Sequence, residues 1–331
     1  MKRSLFKGAS RAWAGRFGAF LLATLAVSAH AFDLQAHRGG RALWPENTLR
    51  AFDRSLTLGV STLELDIGLT ADNVVVISHD TALNPDHTRD ANGAWLTATG
   101  PKIRALTLAE LQRYDVGRLN PASDYGKPFA AQEPRDGERV PTLAALFDLV
   151  KARGDTRVRF NIEPKTDPTK PDDTAAPEAM VRALLAEIDK AGMQQRVTVQ
   201  SFDWRALAAV GQLAPQMPRA WLTSARTLKD SRWTAGLEAA SFPSTPQLVR
   251  AAAGERSGPI VWSPSGYDVT VANVREAQSM GFRVIPWTVN KRVDMTSIMR
   301  LGVDGLITDQ PDVLREVLRS QGIPLPTPTA P

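Results

Sequence analysis

Eight short apolar runs, most of them rich in β-branched residues, recur along the chain with helix-patterned segments between most of them, and this alternation limits the folds open to it. The runs fall at 34–36, 62–69, 158–165, 197–202, 220–223, 260–263, 284–289 and 305–308. Between the first two, Leu49, Phe52 and Leu56 recur at helical spacing behind Asn47 or Thr48 as cap, and the pattern stops at Gly59. Helices are likewise expected behind a Thr142 cap and over 178–191, 204–213, 271–280 and 293–301, and Gly192, Gly281 and Gly302 end three of them. Strands that read as nearly continuous apolar runs, each followed by a helix, imply a parallel sheet covered on both faces. An open doubly wound sheet would place a glycine-rich G-x-G-x-x-G after its first strand, and none is there. The expected fold is a (β/α)8 TIM barrel, with residues 81–141, broken by Asn84-Pro85, Asn92-Gly93, Gly100-Pro101 and Asn120-Pro121, inserted after the second β unit and lying over the mouth.

The stretch 62–80 concentrates the chemistry. In an extended chain successive side chains alternate faces, so Glu64 and Asp66 point one way while Leu63, Leu65 and Ile67 point the other. Two carboxylates in one small buried space need a cation or a proton, and a divalent metal answers that need. A second β-branched run, 74–77, delivers His79 and Asp80 at its far end. A lone Glu-x-Asp in a strand is ordinarily a solvated edge or half an ion pair, so convergence of other groups decides the matter. They do converge: His37 and Arg38 sit on a glycine turn after the first run, Glu163 and Lys165 share a face with Asn161, and Gln200 and Trp287 are expected at downstream strand ends. Glu46 and Asn47 are expected to shape the first loop, Thr308 and Asp309 to cap the helix at Pro311, and His87 to be a loop histidine without a partner.

Residues 1–31 differ from the rest. Five basic residues precede the apolar stretch 17–29, and Ala29-His30-Ala31 is a small-x-small cleavage site, the anatomy of a secretory signal peptide. The expected organisation is a signal over 1–31, cleaved after Ala31, and a single catalytic domain over 32–331 with a proline-rich tail at 322–331. The expected location is periplasmic or secreted, without a stable membrane anchor, since the apolar stretch is shorter than the roughly 20 residues a spanning helix needs. Lys2, Arg3, Lys7, Arg11 and Arg16 also account for the whole formal charge of +5, leaving 32–331 neutral, a balance that gives no hint of the basic stripe a nucleic-acid binder needs. The absence of cysteine excludes disulfides, thiolate metal sites and a thiol nucleophile. Nothing in these residues sets an oligomeric state.

Taken together, HRGG at 37–40, PENT at 45–48, ELD at 64–66, HD at 79–80, NIEPK at 161–165, QSF at 200–202, PWTVN at 286–290 and GLITDQP at 305–311 resemble the glycerophosphodiester phosphodiesterase family. The resemblance runs from about residue 34 to 313, in the family's order, with Leu65 between the acids and Gly40 as minor departures. It implies a metal-dependent barrel enzyme that converts glycerophosphodiesters such as glycerophosphocholine or glycerophosphoethanolamine to glycerol 3-phosphate and an alcohol. It further implies metal ligands at Glu64, Asp66 and Glu163, acid and base at His37 and His79, and phosphate contacts at Arg38 and Lys165; Trp287, a large aromatic at a strand end, reads equally as a wall against the substrate glycerol and as core. Three carboxylates suit Ca²⁺ or Mg²⁺ over softer ions, and likeness to exported members favours Ca²⁺. Two rival readings remain: a barrel phospholipase of the phosphatidylinositol-specific or sphingomyelinase D-like type, which needs an apolar docking rim, and a catalytically silent surface binding protein on the same fold.

Overall fold

The computed structural model describes Met1, residues 31–254 and residues 258–330. The leader expected over 1–31 therefore lies, at positions 2–30, outside the described residues.

The strands are β1 (Asp33–Ala36), β2 (Thr62–Leu69), β3 (Val75–Ile77), β4 (Arg159–Pro164), β5 (Val197–Ser201), β6 (Arg219–Thr223), β7 (Ile260–Pro264), β8 (Arg283–Val284) and β9 (Gly305–Thr308). Eight of them pair in parallel in the order β8-β7-β6-β5-β4-β2-β1-β9, while β3 folds back antiparallel on β2. The two ends of this order meet. Asp304 N donates to Val284 O, Ile307 N to Pro286 O and Val289 N to Ile307 O, at 2.9, 2.9 and 3.0 Å, and these bonds bring the sheet to a nearly closed (β/α)8 barrel. Of the run at 284–289 only Val284 lies in regular strand, because Pro286 has no amide hydrogen to give the ladder.

Alternation along the strands builds two layers. Leu34, Leu63, Leu65, Phe160, Ile162, Val199, Trp221, Trp262 and Leu306 face the helices and form the main core. Within it Phe147 and Phe160 meet edge to edge-on face, centroids 5.0 Å apart. A separate small apolar cluster joins Ala220, Val261, Ile285 and Ile307, with Trp287 against it. Across from those strands, most buried side chains of β1, β2, β4 and β5 that do not join the main core are polar, among them Gln35, Glu64, Asp66, Asn161, Glu163 and Gln200. The barrel is thus apolar on one half and polar on the other.

Local sequence sets the helix ends. Thr48 accepts from Ala51 N and starts Leu49–Leu58, and Thr142 accepts from Ala145 N and starts Leu143–Ala152. Between β3 and Thr142 the insertion carries a small core of its own, with Leu83, Ile103, Leu111 and Val140 packed on Val76. Its helix is one turn, Leu108–Leu111, held by a capping box between Thr107 and Glu110. The proline-rich tail is tied down as well: Thr329 N donates to Leu56 O at 2.9 Å, and Arg315 Nη1 to Pro326 O at 2.8 Å. Among the described residues no helix is long and apolar enough to cross a membrane.

Candidate active site

Parallel register brings the acids together. Asp66 on β2 lies opposite Glu163 on β4, and Glu64 opposite Asn161. One oxygen from each of Glu64, Asp66 and Glu163 falls within 4.8 Å of the others, and all three side chains are buried. Both β2 acids lie in the middle of their strand and not at its downstream end, where a barrel's site residues ordinarily sit. The strand runs on because β3 continues to pair with Ile67–Leu69 beyond the point where β4 ends.

The first loop presents His37 and Arg38. Arg38, Gly39 and Gly40 all have positive φ, at 50°, 78° and 87°, which turns the chain sharply over the end of β1. A Cβ on Gly39 would stand 2.8 Å from that of Ala51, so glycine is needed both for conformation and for space. Gly39→Ala is expected to cost about 1–3 kcal/mol, read as a lowered midpoint in denaturant melts, and to displace the His37–Arg38 turn. The turn repays its strain by aiming a backbone amide inward: Arg38 N donates to Glu64 Oε2 at 2.8 Å.

Each imidazole leans on an aspartate. His37 Nδ1 is 2.5 Å from Asp309 Oδ1, leaving Nε2 4.0 Å from Glu64 Oε2. Asp309 also accepts from Arg41 Nε and Asn290 Nδ2, each at 2.7 Å. His79 Nδ1 is 3.0 Å from Asp80 Oδ1, and Asp80 Oδ2 accepts from Asn84 Nδ2 at 2.8 Å. Arg38 Nη1 reaches Glu46 Oε1 at 2.7 Å, and Lys165 Nζ stands 3.4 Å from Asp66 and 3.2 Å from Glu163. His37, Arg38, Arg41, His79, Lys165 and the three acids, with Gln200, Phe202, Leu222, Trp287 and Ile307, line one cleft of about 170 Å³. Trp287 packs edge-on against Phe202 at 5.0 Å and donates from Nε1 to Ser263 O at 2.9 Å.

Four expectations change. Asp309 does not cap the helix Pro311–Ser320; it holds His37, and Thr308 instead accepts from Gln310 N at 3.0 Å. Asn47 donates to Asp66 Oδ2 at 3.1 Å and Glu46 pairs with Arg38, so both reach the acid cluster besides shaping the loop. His87 has partners: Nε2 lies 3.4 Å from Asp80 Oδ2, and its ring stands 6.0 Å from that of Tyr125. Tyr125 was not singled out in the sequence, yet from the insertion it donates to Glu46 Oε2 at 2.5 Å and accepts from Arg41 Nη1 at 3.0 Å. No local signal announces it, since its partners lie 79 and 84 residues away.

Electrostatics show the strain of three buried acids. Burial and the adjacent Asp66 charge raise the Glu64 carboxyl well above its ordinary range, and burial pushes Glu163 up to about 7 against the pull of Lys165. Burial acts on Asp66 too, but Lys165, His79 and Arg38 outweigh it and hold that carboxyl low. Burial drives His37 down to about 4 although Asp309 opposes it, and burial with Lys165 and Arg38 lowers His79. Three hard oxygen donors whose charges repel one another, with no sulfur and no imidazole among them, form a group able to hold one hard divalent cation.

A barrel that gathers acids, imidazoles and cationic side chains from distant strands into one polar cleft at its mouth belongs to the class of barrel hydrolases acting on phosphate esters. The sequence model of the Glycerophosphoryl diester phosphodiesterase family matches residues 37–313, and the chain belongs to that family. It is 28% identical over 287 residues to a glycerophosphodiester phosphodiesterase of Caldanaerobacter subterraneus subsp. tengcongensis, covering 87% of this chain and 98% of that one. A solved structure from Silicibacter pomeroyi DSS-3 carrying the same family name is 35% identical with a TM-score of 0.80, over 89% of this chain and 95% of that one. A phosphodiesterase of Oleispira antarctica, solved in complex with the product sn-glycerol-3-phosphate, shares the fold at 23% identity and a TM-score of 0.63, over 87% of this chain and 97% of that one. The chain is an enzyme of this class, a glycerophosphodiester phosphodiesterase.

Proposed function

We propose that the chain hydrolyses small glycerophosphodiesters, such as glycerophosphocholine or glycerophosphoethanolamine, to sn-glycerol 3-phosphate and an alcohol, using His37 and His79 as its proton carriers. The carrying observation is that His37, His79, Arg38, Lys165 and the three acids line one cleft. Glu64, Asp66 and Glu163 would hold a divalent cation, Ca²⁺ favoured over Mg²⁺, which would supply positive charge to the substrate's phosphate. Arg38 and Lys165 offer further positive charge to the phosphate oxygens, and both are already oriented, by Glu46 and by Glu163 with Asp66. One imidazole takes the proton of the attacking hydroxyl, from water or from the substrate's own glycerol 2-hydroxyl, as its oxygen bonds to phosphorus. The other imidazole gives a proton to the departing alkoxide as the ester bond breaks; where the 2-hydroxyl attacks, water then adds to the cyclic phosphate and the bond to the 2-oxygen breaks, the two rings exchanging roles. Asp309 and Asp80 hold Nδ1 of each ring, which leaves Nε2 for that exchange. Trp287 and Phe202 give the cleft its apolar wall.

The test is a coupled assay of glycerol 3-phosphate release from glycerophosphocholine beside one of alcohol release from vesicle lipid. Turnover of the soluble diester and none of the vesicle lipid supports the reading; preference for vesicle lipid replaces it with a phospholipase. A cyclic glycerophosphate trapped in a quenched single turnover would identify the glycerol 2-hydroxyl as nucleophile. We also infer export: N-terminal sequencing of the protein recovered outside the cytoplasm is expected to begin at Phe32.

A further inference from the structure

Most parallel barrels fill their interior with branched apolar side chains, but half of this one holds a continuous line of amides between two acids. Gln200 Nε2 donates to Glu64 Oε1 at 2.5 Å, and Gln200 Oε1 accepts from Asn161 Nδ2 at 2.8 Å. The same Asn161 nitrogen donates to Gln35 Oε1 at 2.9 Å, and Gln35 Nε2 donates to Asp33 Oδ2 at 3.3 Å. Asp33 ends the line, held by Thr62 Oγ1 at 2.7 Å, Arg159 at 2.9 Å and Arg283 at 3.2 Å. All five side chains of the line are buried.

The end groups fix the direction of every bond. Asp33 accepts from Thr62 and faces two arginines, and Glu64 accepts from Gln200, so both glutamines turn their NH₂ groups outward to the acids and their oxygens inward. Asn161 is then left with two acceptors to serve, and its single NH₂ serves both while its Oδ1 has no partner. That orphan oxygen is a cost in stability, which a barrel filled for packing alone would not carry. We infer that Asn161 and Gln200 are positioning residues for the metal site: they lock a donor onto Glu64 Oε1, while Arg38 N holds Oε2, so that both oxygens are aimed before any cation arrives.

This rests on the proposed metal reading. The test is calorimetric titration of chelator-stripped full-length protein with Ca²⁺, each variant first checked by thermal melting. Asn161→Leu and Gln200→Leu are expected to weaken Ca²⁺ binding about 10- to 100-fold; Gln200→Met, unbranched like the native side chain, serves if the leucine variant does not fold. Gln35→Leu breaks only the far arm, and is expected to lower the melting temperature while changing Ca²⁺ affinity less than about threefold, since the Asn161 to Gln200 bond survives. Wild-type protein that takes up no divalent cation overturns the metal reading and this inference with it. Wild-type binding with unchanged affinity in Asn161→Leu and Gln200→Leu, or equal weakening in all three positions, overturns this inference alone.

Discussion

Removing the divalent cation with a chelator is expected to lower glycerol 3-phosphate release by about 10³-fold or more, since the charge it places on the phosphate corresponds to several kcal/mol of barrier. Adding Ca²⁺ back is expected to restore the rate. Glu163→Gln keeps the shape of the side chain but takes one charge from the trio, and is expected to show a similar loss that the same Ca²⁺ concentration does not rescue. Stability moves the other way. Glu163 is buried beside Lys165 and Asp66, and its carboxyl is pushed from an ordinary 4.5 to about 7. A group raised in the folded state binds more protons there than when unfolded, so its contribution is full below pH 4.5 and is lost as pH rises through 7. Metal-free wild-type protein should therefore melt at progressively lower temperature across that window, and Glu163→Gln should flatten the decline. Full activity in chelator, or in Glu163→Gln, would remove the cation from the reaction. A melting temperature for the metal-free variant below that of metal-free wild type would show that the three acids do not strain the fold.

The barrel and most of its elements were legible because they are written locally. Alternation sorts Leu63, Leu65 and Ile67 from Glu64 and Asp66 without any knowledge of the partner strand, and Thr48, Thr142 and Gly192 mark helix ends within a few residues. Pro286 shortened a strand that the apolar run 284–289 suggested, because hydropathy does not register a missing amide hydrogen. What escaped was what depends on distant partners. Asp309 stands immediately before a helix beginning at Pro311, where capping is the ordinary use of an aspartate, and only barrel closure brings it to His37, 272 residues away. His87 looked unpartnered because its neighbours in the chain are loop residues, while the insertion folds it back onto Asp80. Tyr125 carries no motif at all, yet it braces Glu46 and through it Arg38.

His37→Ala and His79→Ala are each expected to reduce turnover by about 10² to 10⁴-fold at saturating metal, with little change in fold. Structure supports the second half of that statement. Without His37 the Asp309 carboxylate keeps Arg41 and Asn290, and without His79 the Asp80 carboxylate keeps Asn84 and His87, so neither deletion leaves a buried charge alone. The pH profile of each variant separates the roles. A base must be unprotonated, so wild-type activity falls on the acid side as it gains a proton, and the variant lacking the base should lose that limb. The variant lacking the acid should lose the alkaline limb instead. Asp309→Asn is expected to move the limb that belongs to His37 toward lower pH, because the charge opposing the burial of that imidazole is gone. Unchanged turnover in both alanine variants, with metal bound, would take proton transfer away from these two rings and leave the cleft to act by charge alone.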